Sequence, residues 1–223
     1  MQIAIDGPVA SGKSTVARKL SGRLGFLFLD TGALYRAVAY LALRKGTSAD
    51  EAATEALITP RSPEVVVDPN DALNARILVD GKVLREELFA PEVSLTVSRV
   101  AAMPAVRRKL LSAQRAFADE RNIVMAGRDI GTVVLPRASP KFFLTASLDT
   151  RVDRRLRQLA ARGIQIERDT LRTEIQNRDR RDSSRAVSPL VRAADATEID
   201  TSDMSVEEVV AVLADAVRAR AKP

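Results

Sequence analysis

Residues 7–14 read Gly7-Pro8-Val9-Ala10-Ser11-Gly12-Lys13-Ser14, and Thr15 follows. Ile3-Ala4-Ile5 leads in as a buried strand would, and Val16, Leu20 and Leu24 lead out at helical spacing. Strand, glycine-bounded loop and helix in this order form a P-loop, whose successive N–H groups converge at the positive end of the helix and suit a polyphosphate. Gly7 and Gly12 let the backbone approach closely, Lys13 can reach the β- and γ-phosphates, and the Ser14 hydroxyl is available to magnesium. Gly7, Pro8, Val9, Ala10, Ser11, Gly12, Lys13, Ser14 and Thr15 are therefore the expected ATP-binding residues, with Ser14 the metal ligand.

The chain has 223 residues, enough for one α/β domain with an insertion. It contains no cysteine and no histidine, so thiolate metal sites are excluded and chemistry must rest on carboxylates, arginines, lysines and hydroxyls. Its net charge of +6 comes from arginines interleaved with acids at Arg151 to Arg162 and Arg168 to Arg192, without aromatics to stack on bases. Small polyanions fit that pattern better than nucleic acid. Apolar runs are too short to span a bilayer and no signal-like N-terminus is present, so a cytoplasmic protein is expected.

Further strand-like runs occur at Phe26 to Leu29, Ile123 to Met125, Phe142 to Leu144 and Thr197 to Ile199, separated by helical stretches. With the first, they predict a five-stranded parallel sheet flanked by helices, with ligands at the carboxyl ends of its strands. Asp30, the Gly127-Arg128-Asp129 segment and the P-loop all fall there. Between Pro60 and Arg85 the short runs Val65 to Val67, Ala75 to Val79 and Lys82-Val83 are separated by Pro69-Asn70-Asp71 and Asp80-Gly81, which predicts a small antiparallel insertion. Helices are expected from about Glu92 to Arg121, punctuated at Pro104, and from Val206 to Arg220.

Three further segments narrow the reading: Leu29-Asp30-Thr31-Gly32-Ala33-Leu34-Tyr35-Arg36, taken as a tight turn entering a helix; Gly127-Arg128-Asp129-Ile130-Gly131-Thr132; and Arg178-Asp179-Arg180-Arg181-Asp182-Ser183-Ser184-Arg185. With the P-loop and the β-rich insertion, they resemble the bacterial-type cytidylate kinase family over essentially the whole chain. The resemblance implies a P-loop kinase fold as a single domain: a core (about 1–35, 121–150 and 186–223), a nucleoside-monophosphate-binding region (about 36–120) and a mobile helical lid (about 151–185). It implies that Thr31, Tyr35, Arg36 and Arg128 bind the acceptor, with Arg36 and Arg128 gripping its phosphate. Ser98, Arg107 and Asp129 read cytosine. Arg178, Asp182 and Arg185 contact ribose and phosphates, and Arg154 and Arg155 meet the donor phosphates. Lys13, Arg128, Arg155 and Arg185 form the catalytic set.

The residue chemistry agrees with these roles. Guanidinium groups present paired donors to phosphate, and cytosine offers an amine to a carboxylate and ring acceptors to an arginine. Family members often carry a carboxylate just before Gly-Arg-Asp, where this chain has Ala126; Asp30 is expected to replace it near the metal. The implied reaction is transfer of the γ-phosphoryl group of ATP, with Mg²⁺, to CMP or dCMP by a monomer. A P-loop ATPase or GTPase switch binding RNA would instead call for an Asn-Lys-x-Asp motif or an aromatic platform. Another small-molecule P-loop kinase has no reason to carry Gly-Arg-Asp-Ile-Gly-Thr beside the insertion.

Overall fold

A computed structural model describes residues 1–221. In chain order its elements are β1 (Gln2–Asp6), α1 (Lys13–Leu24), β2 (Leu27–Asp30), α2 (Thr31–Lys45), α3 (Glu51–Ala56), β3 (Glu64–Asp68), β4 (Asp71–Val79) and β5 (Lys82–Leu84), then α4 (Pro91–Val100), α5 (Pro104–Ala118), β6 (Ile123–Gly127), β7 (Lys141–Thr145), α6 (Leu148–Ala160), α7 (Arg168–Ser184), β8 (Thr197–Asp200) and α8 (Val206–Ala221). A 3₁₀ turn, Glu86–Phe89, precedes α4, and a π-helical turn, Ile130–Val134, follows β6.

The five predicted strands form the parallel run β2-β6-β1-β7-β8. Alternation along β1 and β6 sends Ile3, Ile5, Val124 and Ala126 to the face covered by α1 and α8, while Ala4, Ile123 and Met125 pack with α2 and α5. The sheet does not stop at five strands. Phe28 of β2 pairs in parallel with Asn74 of β4, and β4 carries β3 and β5 antiparallel to it, so the insertion lengthens the sheet to eight strands. The nine residues of β4 allow this, because they serve the hairpin and still reach the open side of β2. β3 and β8 are left as the outer strands of the main path, and the β3–β4 register shifts between Val67 and Asp68.

The tight turn expected after β2 is absent. Asp30 ends the strand and at once caps α2, its Oδ1 accepting the Gly32 N–H at 2.9 Å, so the helix starts at Thr31. Pro104 opens α5, where its missing N–H costs nothing, which separates α4 from α5. Among the described residues no helix is long and apolar enough to cross a membrane.

Candidate active site

The P-loop joins β1 to α1 and is shaped by its two glycines. A Cβ on Gly7 would stand 2.1 Å from the Leu144 carbonyl oxygen, and Gly12 enters the helix with a left-handed φ of 87°. The Lys13 side chain curls back and donates to the Pro8 carbonyl at 2.7 Å. Burial drives its pKa well down, and the Arg128 guanidinium adds to the effect. Ser11 Oγ is fully buried and has no partner among the described residues. Arg154 overhangs the loop, with Nη1 3.7 Å from where a Gly12 Cβ would lie and donating to Thr201 Oγ1 at 2.9 Å. Thr201 in turn donates to the Thr145 carbonyl, which fixes Arg154 beside the loop.

A cleft of about 1250 Å³ opens over this loop. All the site residues expected from sequence line it except Gly7 and Pro8, which lie beneath, at the base of the loop. Its polar groups divide into two ends. Near Lys13 stand Arg36, Arg128, Arg155 and Arg178, close enough to perturb one another: Arg178 is pushed down to about 9 and Arg36 to about 10, in both cases chiefly by burial and then by neighbouring guanidiniums. Arg36 Nη1 donates to the Leu88 carbonyl at 3.0 Å and to Ser94 Oγ at 2.9 Å, while Arg178 Nε is buried without a partner among the described residues. Like charges held this way in an apolar wall call for an anion.

One counter-charge comes from α7. Asp182 Oδ2 accepts from Arg128 Nε at 2.9 Å, and its carboxylate is 3.9 Å from Arg185. Burial raises the Asp182 pKa, but Arg128, Arg178 and Arg185 outweigh it and hold the carboxyl below its ordinary value.

At the other end Arg107, 4% exposed, donates from Nη2 to Asp129 Oδ2 at 2.7 Å and from Nη1 to the Ala101 carbonyl at 3.0 Å. Its guanidinium lies 5.1 Å from the centre of the Tyr35 ring. Ser98 Oγ and Arg107 Nε are buried there with no partner among the described residues. Arg185 also belongs to this end, perturbed by Arg107, Asp129 and Tyr35, with Nη2 unpartnered among the described residues. Unsatisfied donors beside a carboxylate make a site for a flat molecule with mixed hydrogen-bonding edges. Thr31 is turned away from it, its Oγ1 donating to the Ala126 carbonyl at 3.1 Å.

Asp30 stands directly beside Ala126 in the β2–β6 register, on the sheet face that carries α1. Asp30 and the Ser14 hydroxyl both line the cleft, and a carboxylate and a hydroxyl are hard oxygen donors of the kind magnesium takes.

Four contributors were missed from sequence. Asp179 of α7 accepts the Val9 N–H at 3.4 Å and pairs with Arg151 of α6, whose Nη1 also donates to the Val9 carbonyl, so α6 and α7 are tied to the P-loop. Phe89 lies between regions, with the Arg162 guanidinium 4.2 Å and that of Arg36 5.3 Å from its ring centre. Thr201 holds Arg154. Asp6, immediately before Gly7, is buried against the π-helical turn. Asp6 left a trace in the sequence as a charge closing an apolar strand, and Asp179 lies inside the Arg178 to Arg185 segment, where no role was assigned to it.

A P-loop opening into an arginine-lined cleft over a mainly parallel sheet defines the P-loop kinase fold. A solved structure titled as an uncharacterized protein from Eubacterium ventriosum shares the overall fold, with TM-score 0.53 and 15% identity over 99% of both chains. The family model for cytidylate kinase matches residues 3–219. The chain belongs to the cytidylate kinase family. It is 51% identical to the cytidylate kinase of Pelotomaculum thermopropionicum, covering 95% of this chain and 93% of that one. It is 41% identical to that of Enterococcus faecalis, covering 98% and 96%.

Proposed function

We propose that the chain transfers the γ-phosphoryl group of ATP to CMP or dCMP. The observation that carries this reading is the pairing of two unlike ends in one cleft: a cluster of mutually repelling guanidiniums beside Lys13, and a base-sized pocket where Arg107, Asp129 and the unsatisfied Ser98 Oγ meet. Family membership supports the same substrates.

In this reading the donor phosphates lie on the P-loop N–H groups from Gly7 to Thr15, under Arg154, with Lys13 released from the Pro8 carbonyl to meet the β- and γ-phosphates. Arg36, Arg128 and Arg178 grip the acceptor phosphate, and Arg155 closes over the transferred group. Asp129 accepts from the cytosine amine, Arg107 and Ser98 donate to its ring acceptors, and Tyr35 walls the base. Asp182 accepts from the sugar, and Arg185 closes the pocket from the lid side. An acceptor phosphate oxygen forms the new bond to the γ-phosphorus as the bond to the bridging oxygen of ADP breaks. No general base is needed, because a phosphate monoester with a second pKa near ~6 is already largely ionised at neutral pH. Ser14 and Asp30 are the residues that would hold magnesium, which would supply charge neutralisation between the phosphates. The protein aligns two polyanions and keeps water from the γ-phosphate.

A coupled ADP-release assay across CMP, dCMP, UMP, AMP, GMP and shikimate tests the proposal. Turnover with CMP and dCMP well above the rest is expected. Preference for shikimate or a purine nucleotide, or ATP hydrolysis with no acceptor phosphorylated, would overturn it.

A further inference from the structure

Asp6 ends β1 one residue before the P-loop, yet its carboxylate serves the opposite side of the cleft. Oδ1 accepts the Ile130 N–H at 2.8 Å and Oδ2 accepts the Gly131 N–H at 2.7 Å. These two donors open the π-helical turn that directly follows Arg128 and Asp129. The side chain is 5% exposed, and the acceptor turn is thereby clamped to the strand that launches the donor loop. We propose that Asp6 is a positioning residue for acceptor recognition, setting through the Ile130 and Gly131 N–H groups where Arg128 and Asp129 stand relative to the P-loop. The inference rests on the reading of Asp129 as the base-reading carboxylate.

The clamp needs both carboxylate oxygens as acceptors. Protonation turns one of them into a donor facing an N–H, and the turn is then held by one bond instead of two. The charged groups around Asp6 are Asp129 on the turn itself, Lys13 from α1, and Lys141 of β7 on the far side of Gly131. Lys141 Nζ is engaged elsewhere, donating to the Pro136 carbonyl at 2.7 Å and to Asp195. Burial is the largest influence and lifts the Asp6 pKa to about 6, against the two backbone N–H bonds that lower it. The clamp therefore loosens within a pH range in which the enzyme can be assayed.

Asp6→Asn preserves shape and mimics the protonated state. The test measures kcat/KM for CMP and UMP, and KM for ATP, from pH 5.5 to 7.5 in wild type and Asp6→Asn. Because CMP and UMP carry the same phosphate, its titration cancels in their ratio. The wild-type CMP to UMP ratio should fall about two- to fourfold toward pH 5.5, where a carboxyl titrating at about 6 is mostly protonated. Asp6→Asn should show the lowered ratio at every pH, with KM for ATP changed less than twofold. A folded Asp6→Asn protein with wild-type selectivity, a ratio in it that still depends on pH, or equal damage to ATP and CMP constants would each overturn the proposal. Should Asp6→Asn fail to fold, the wild-type ratio decides: a flat ratio overturns the clamp and a falling one supports it. Absence of CMP turnover by wild type at pH 7.5 would instead overturn the substrate assignment.

Discussion

At the scale of single residues the cleft holds several buried donors and charges without protein partners. Lys13 illustrates this: it is buried, pushed toward neutrality and rests on the Pro8 carbonyl, and on the proposed reading it leaves that carbonyl for phosphate. Lys13→Met should keep the fold, because the loop is shaped by Gly7 and Gly12. Its kcat with ATP and CMP should fall by roughly 100-fold or more, the size of effect seen when one preorganised donor to developing charge is removed. Steady-state kinetics on a protein with a wild-type melting curve checks this, and near-normal kcat would show the lysine to be structural. Asp129 makes the complementary case. Asp129→Asn places an amide where the cytosine amine needs an acceptor, and a mismatched buried contact costs about 1–3 kcal/mol. The CMP to UMP ratio of kcat/KM should drop by a corresponding factor of about 5 to 150, with CMP and dCMP affected alike.

At the scale of elements, α7 supplies more than a cover. Asp182 neutralises part of the arginine cluster from the lid side while Asp179 ties the same helix to Val9 of the P-loop. Removing a buried carboxylate from among its guanidinium partners costs about 3–5 kcal/mol. Asp182→Ala should therefore lower the melting temperature of the ligand-free protein, and CMP, whose phosphate brings negative charge back, should restore more of that loss than it adds to wild type. Thermal melts with and without CMP measure it. If Asp182 serves only the sugar, the ligand-free melting temperature will not move. The pH dependence has a definite sign: with the folded-state pKa depressed, the Asp182 contribution is present above the ordinary carboxylate range and is lost as pH falls through the folded value.

The elements also divide what sequence could and could not reveal. Periodicity located the parallel strands and the hairpin pieces, because alternation and turn residues are local properties. Pairing of Asn74 with Phe28 is not local, and nothing in either run announces that β4 extends the main sheet. The capping of α2 by Asp30 was missed for a different reason: Thr31-Gly32 has turn chemistry, and the cap wins only once the strand end fixes Asp30. In the site, the P-loop was legible from its own spacing, while the remaining residues that line the cleft were named by the resemblance to a family. Phe89 and Thr201 escaped because each acts through a contact with a distant part of the chain and belongs to no pattern of its own, and Asp179, although inside the Arg178 to Arg185 segment, acts on Val9 at the other end of the chain.

At the scale of the whole molecule, one sheet underlies both ends of the cleft, running from the insertion through the P-loop strand to β8. The main path of that sheet has two outer strands whose backbone groups could recruit another chain, and both are short and carry acids: Glu64 and Asp68 on β3, Glu198 and Asp200 on β8. The register shift between Val67 and Asp68 further breaks the regular row of donors and acceptors on β3. Asp68 is paired with Arg76 and Glu198 with Arg192, so among the described residues Glu64 and Asp200 are the edge acids without an ion pair to oppose a second copy. The protein should sediment as a single 24.2 kDa species at micromolar concentration, and a stable dimer under those conditions would show that some other surface drives assembly. Replacing Glu64, which is exposed and lies outside the cleft, with threonine should raise the tendency to form fibrillar aggregates on prolonged incubation, read by light scattering, while leaving turnover per folded molecule unchanged. On that outcome a charge outside the cleft sets how concentrated a stock of this enzyme can become before it is lost to precipitation.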